Sequence, residues 1–155
     1  MRLKPLMFGT LLLTLLASNP AQARPYPLEN VLGDHDAAKL AKQRILTTAQ
    51  LLKQAAKSAE RKKLARVTGI KVVRLTGMVQ MCDLLRIRGV GPQMVKLLAA
   101  AKVLTVQQLR KQKAALLARR MKVANVKAKI TQTPPNEEQL KNWIAQARKL
   151  KLVLK

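Results

Sequence analysis

A gapless self-match constrains this chain more than any other feature. Residues 31–54, VLGDHDAAKLAKQRILTTAQLLKQ, align on residues 89–112, GVGPQMVKLLAAAKVLTVQQLRKQ, at a constant offset of 58. Gly33 falls on Gly91, Leu40 on Leu98, Ile45-Leu46-Thr47 on Val103-Leu104-Thr105, and Leu51 on Leu109. An offset held without a gap marks a duplicated structural unit, so the fold must accommodate the same local plan twice.

Each copy has helical spacing. In the second, Pro92 suits the first position of a helix. Met94, Leu97, Leu98 and Ala101 then share one face, with Gln93 and Lys96 outside it. Thr105 is placed to cap a short helix whose Val106 and Leu109 point inward. In the first copy Ala37, Leu40 and Ala41 take the inward positions, and Thr47 or Thr48 the cap. Between the copies, helices are expected over 59–67 and 71–82, stopped at Thr68-Gly69. After the second copy, helix continues over 113–123, and a basic loop closes on Thr133-Pro134-Pro135. Asn136 and Gln139 form a capping-box start for a last helix that turns Leu140, Trp143, Ile144, Ala147 and Leu150 to one side. No segment alternates as a strand does.

The expected fold is therefore all-α, a compact bundle of short helices built from two tandem hairpin units plus a C-terminal helix. The expected organisation is a leader over 1–23 and a single helical domain over 24–155. That domain comprises a first hairpin unit at 28–58, linking helices at 59–82, a second hairpin unit at 83–124, a basic loop at 125–135 and a C-terminal helix at 136–150.

Met1–Ala23 has the layout of a secretory signal peptide: Arg2 and Lys4, an apolar stretch LMFGTLLLTLLAS, then Ala21-Gln22-Ala23 as a small-x-small cleavage site. The apolar stretch is shorter than the ~20 residues of a spanning helix. Localisation is thus expected to be periplasmic or secreted, with no stable transmembrane span after cleavage behind Ala23. Cys82 is the sole cysteine, so no intramolecular disulfide forms. Val72, Leu75, Val79 and Cys82 recur at helical spacing, which puts the thiol on an apolar face; pairing between chains is the alternative.

Charge points to partners. The chain has 31 Lys and Arg against 7 Asp and Glu, a formal +24. Between Asp83 and Glu137 there is no acid and there are twelve Lys and Arg. Such a surface attracts nucleic acid, anionic lipid, envelope polymers or an acidic protein.

DLLRIRGVGPQMVKLLAAAKVLTVQQL, with the later PPNEEQLKNWIAQARKL, resembles the bacterial family catalogued as domain of unknown function 4332. The resemblance extends over roughly residues 26–152 and includes LARVTGI at 64–70. It implies tandem helix-hairpin-helix-like units and, through that motif, a link to DNA. The chain departs from the family at its first turn, where Val31-Leu32-Gly33-Asp34 stands in place of Gly-x-Gly-Pro, and in carrying an export signal.

A helix-hairpin-helix holds nucleic acid through backbone N–H groups just ahead of a helix start, gripping a phosphate without reading a base. Here Gly89-Val90-Gly91 would form that turn, with both glycines free to take positive φ. Lys96 would reach an adjacent phosphate, Arg86 and Arg88 would flank the turn from the preceding helix, and Arg119 and Arg120 would extend the basic surface. The competing reading makes Gly-Val-Gly a tight corner between two packed helices. Asp34 and Asp36 would repel a phosphate at the first copy, whose Asp34-His35-Asp36 reads as a solvated cap and not as a metal site. Enzyme signatures are missing: one His, one Cys, no paired carboxylates, no nucleophile elbow and no P-loop.

The functional expectation is a non-catalytic, exported polyanion-binding protein, with DNA as the first-choice partner, no cofactor or metal, and no evident small-molecule substrate. The alternative is a cell-envelope interaction protein that meets an acidic partner, anionic lipid or polymer. No helix is expected to combine a basic face with exposed large apolar residues.

Overall fold

The structure, a computed structural model, describes residues 25–155, so the expected export signal at Met1–Ala23 lies outside the described residues. Nine helices follow one another among them: α1 (Glu29–Leu32), α2 (Asp34–Ala41), α3 (Thr48–Ala55), α4 (Ser58–Thr68), α5 (Val72–Leu84), α6 (Pro92–Ala100), α7 (Val106–Leu109), α8 (Ala114–Ala128) and α9 (Glu137–Lys149). The fold is all-α; the one β-type pairing among the described residues is an isolated bridge between Pro27 and Thr47.

The duplication survives in hydrogen-bond detail. Thr47 accepts from Gln50 N–H and Thr105 from Gln108 N–H, each at the start of the second helix of the duplicated pair. Leu46 N–H donates to Gln50 Oε1 at 2.8 Å, and Leu104 N–H to Gln108 Oε1 at 2.7 Å. The preceding helices also end alike. Ile45 N–H bonds Leu40 O at 3.1 Å and Val103 N–H bonds Leu98 O at 2.8 Å, the long bond of a Schellman stop. The residue before each is left-handed, Arg44 at φ 59° and Lys102 at φ 64°.

Two apolar clusters form, and both linking helices pack in the first, with only the end of α5 at Leu84 reaching the second. α3, α4 and α5 enclose Leu40, Ile45, Leu51, Leu75, Val79 and Cys82, whereas α6, α8 and α9 enclose Val95, Leu98, Leu117, Met121, Leu140 and Ile144. Val31 of the first unit lies in the second cluster. The C-terminal segment returns the tie: Val153 and Leu154 pack on the first cluster. Lys155 O accepts from Ser58 N–H at 2.8 Å and from Arg61 Nη2 at 3.0 Å.

Several expectations need correction. Helix α8 runs to Ala128, into the segment expected as basic loop, because no breaker occurs before Pro134. It stops at left-handed Lys129, where Asn125 Oδ1 accepts from the Ile130 and Thr131 amides at 3.1 and 3.0 Å. Val95 is fully buried, so the inward stripe of α6 is wider than expected; Ala41, expected inward, is exposed. Val72 stands partly outside the face shared by Leu75, Val79 and Cys82. Asp36 is no solvated cap residue: it is buried and accepts from Arg74 Nε at 2.7 Å, joining α2 to α5.

Candidate nucleic-acid interface

The turn between α5 and α6 is assembled by α9. Gly89 takes φ 91°, the left-handed conformation, and although it is exposed, its Cβ direction points at the α9 indole, so that an added Cβ would meet Trp143 Nε1 at 2.9 Å. One helical turn further along α9, Gln146 clamps the chain: Arg88 N–H donates to Gln146 Oε1 at 2.9 Å, and Gln146 Nε2 donates to Arg88 O at 3.2 Å. Val90 is buried in the second cluster, with its amide on Ile87 O at 3.0 Å. Gly91 caps α6 at φ −99°, ψ 179°, extended backbone open to any residue. The expectation of positive φ thus holds for Gly89 and fails for Gly91. Gly33, which aligns with Gly91, does take φ 84°, so the two copies turn their corners at different residues.

Gly89, Val90 and Gly91 therefore have unlike roles: an exposed left-handed position against the indole edge, a core residue, and a half-buried helix cap. A Cβ at Gly91 would stand 3.9 Å from the Tyr26 hydroxyl, so Tyr26 borders the turn from outside the duplicated segment. Among the described residues, the amides of Gly91, Gln93 and Met94 donate to no partner. Lys96 is exposed one turn into α6. Arg88 keeps its side chain exposed while its backbone is held by Gln146.

Arg86 is not available to a ligand in the way the sequence suggested. Its Nη1 donates to buried Asp83 at 2.7 Å and to Lys151 O at 3.1 Å, and the side chain is only 11% exposed. Burial pushes the Asp83 carboxyl above its ordinary range, against the opposing pull of Arg86. Arg86 thus anchors the C-terminal segment to the end of α5.

Arg119 and Arg120 are exposed on α8 but lie apart from the turn. With Val123, Ala124 and Lys127 they form one bank of a shallow groove whose other bank is Ala100, Ala101 and Lys102, at the far end of α6. α6 has nine residues, so about 13 Å separates its ends. The near end is bordered instead by Lys129 and the loop to Thr133, which line a depression with Gln93. Arg120 also bonds Gln112 Oε1. The residues expected as one site thus divide into a turn with Arg88, Gly91 and Lys96, and a groove with Arg119 and Arg120.

Four residues near the turn escaped the sequence reading: Tyr26, Lys129, Trp143 and Gln146. For Trp143 and Gln146 the signal was present, since their spacing of three puts them on adjoining turns of one helix, but which corner they would cover was set by tertiary packing.

The family described as Domain of unknown function (DUF4332) matches residues 30–150. No curated protein matches the chain, and no solved structure does.

Proposed function

We propose that this chain, which belongs to the Domain of unknown function (DUF4332) family across residues 30–150, binds DNA without sequence specificity and without catalysis. Backbone phosphates would meet the turn between α5 and α6, a helix-hairpin-helix arrangement in this reading. One observation carries it: the unpartnered amides of Gly91, Gln93 and Met94 open α6 inside a stretch from residue 84 to 136 that has no acid. Amides and helix dipole favour an anion there, and exposed Lys96, Arg88 and Lys129 add positive charge around it. The duplicated position supplies a contrast, because α2 opens with Asp34 and Asp36. The reading includes export, on the strength of the leader-like composition of Met1–Ala23.

A second reading is favoured by the close approach of Gly89 to Trp143, which accounts for the corner by packing alone. On it, the hairpins are structural and the basic surface meets an acidic envelope partner.

Titration of a DNA duplex at two salt concentrations, with Gly91→Asp and Lys96→Ala, separates the two. Asp at a cap position stabilises a helix while repelling a phosphate. Under the DNA reading Gly91→Asp is at least as stable as the parent and binds duplex more weakly. Lys96→Ala lowers the slope of log K against log salt by about one. Equal duplex affinity of Gly91→Asp and the parent overturns the DNA reading.

A further inference from the structure

Helix α8 has two faces, and the fold uses one. Leu117 and Met121 are fully buried against the second cluster, while Leu116, Val123 and Val126 remain 55%, 58% and 72% exposed. At 3.6 residues per turn, Leu116, Arg119, Val123 and Val126 share an arc of about 80° on the side opposite Leu117. Arg120 and Lys127 border that arc on one side and Lys122 on the other. The sequence expectation that no helix combines a basic face with exposed large apolar residues is therefore wrong for α8. Its physical reason is that the buried stripe of α8 is narrow, leaving three further apolar residues without a contact role in the core.

We propose that this face of α8 seats the protein on the surface of an anionic phospholipid bilayer. Charge complementarity gives the sign of the partner, since α8 itself and the whole stretch from residue 84 to 136 carry no acid. The interleaving of apolar and cationic side chains gives its kind. A phosphate backbone would pair with Arg119 and Lys127 and leave Val123 and Val126 in water. A bilayer interface takes both, because the apolar side chains enter below the headgroups while Lys and Arg stems extend to the phosphates. Leu116 and Val126 are ten residues apart, about 15 Å along α8, so the exposed apolar arc extends over nearly three turns of the helix. The groove beside Val123 has Ala100 and Ala124 on its two banks, adding small apolar surface next to it. Among the described residues no helix is long and apolar enough to cross a membrane, so the seat is peripheral. This surface is separate from the turn at Gly91, and the proposal stands or falls independently of DNA binding there.

Co-sedimentation of the chain with phosphatidylcholine vesicles, alone or mixed with phosphatidylglycerol, tests it. Binding is expected to the mixed vesicles only. The Leu116→Gln/Val123→Gln/Val126→Gln variant, unchanged in charge and altered only at exposed positions, is expected to lose about tenfold in vesicle affinity. Its circular dichroism and duplex affinity should match the parent. Arg119→Glu/Arg120→Glu should abolish sedimentation, whereas Gly91→Asp should sediment like the parent. If the triple apolar variant binds mixed vesicles as tightly as the parent, or loses duplex affinity instead, or if the parent ignores mixed vesicles, the lipid seat is refuted.

Discussion

A Cβ on Gly89 would stand 2.9 Å from the indole Nε1 of Trp143. Two requirements thus coincide at one residue, a left-handed backbone and the absence of a side chain. Gly89→Ala should cost about 2–4 kcal/mol, combining backbone strain with overpacking against the ring. With Trp143→Phe as background, which removes the Nε1 side of the ring, the added cost of Gly89→Ala should fall to about 1 kcal/mol, the backbone share. A double-mutant cycle by urea unfolding measures the coupling; additive costs would show that the indole does not govern this glycine.

The same left-handed demand is met expensively at Arg44 and Lys102, which close the Schellman stops of α2 and α6. Glycine is the ordinary residue at that position. Arg44→Gly and Lys102→Gly should therefore each stabilise the chain by about 0.5–1 kcal/mol, read as a higher urea midpoint with an unchanged slope. The gain should be similar at the two sites, since their hydrogen bonds correspond.

Asp83 is buried at the end of α5, and burial raises its carboxyl above the ordinary 3.8 despite the hydrogen bond and charge of Arg86. The folded chain thus holds this proton more tightly than the unfolded chain. The resulting stability is complete below pH 3.8 and is lost as pH rises through the higher folded value. Urea unfolding of Asp83→Asn and parent across pH 3 to 7 should show the difference moving in favour of the variant as pH increases. A constant difference would mean that Arg86 compensates the burial in full.

Cys82 has its thiol pushed up to about 12, first by burial and second by neighbouring Asp83. The thiolate is the reactive form, so alkylation at pH 8 should proceed at the rate of unfolding and not at that of a free thiol. Stability linked to Cys82 is intact below its ordinary 9.0 and declines as pH approaches 12. That alkaline decline should be reduced in Cys82→Ala. Rapid native-state alkylation would contradict the buried placement.

Much of the fold was legible because it is encoded locally. The caps at Thr105 and Asn136, the stop at Gly69 and the inward face of α9 each depend on residues within one or two helical turns. Where the reading failed, distant partners intervened. Asp36 looked like a solvated cap because Arg74, 38 residues away, is not visible as its partner in a linear sequence. Arg86 has one near partner, Asp83 three residues back, and one distant partner, Lys151 O from the far end of the chain; only the second and the burial of the pair are hidden in a linear sequence. The left-handed Arg44 and Lys102 gave no sign, since neither is glycine.

By itself, the sequence determined an all-helical chain with a duplicated unit and a one-signed basic stretch, because helix periodicity, capping and formal charge are properties of near neighbours. Only the tertiary structure decided what the Gly89-Val90-Gly91 corner is and where the cations stand. α9 sets Trp143 and Gln146 against the turn, which denies a side chain at Gly89 and leaves room for one at Gly91. The packing of α6 on α8 carries Arg119 and Arg120 away from the turn and sets them among exposed Val123 and Val126. Those placements depend on which helix faces are buried against each other, a choice made by long-range apolar contact that no local pattern specifies.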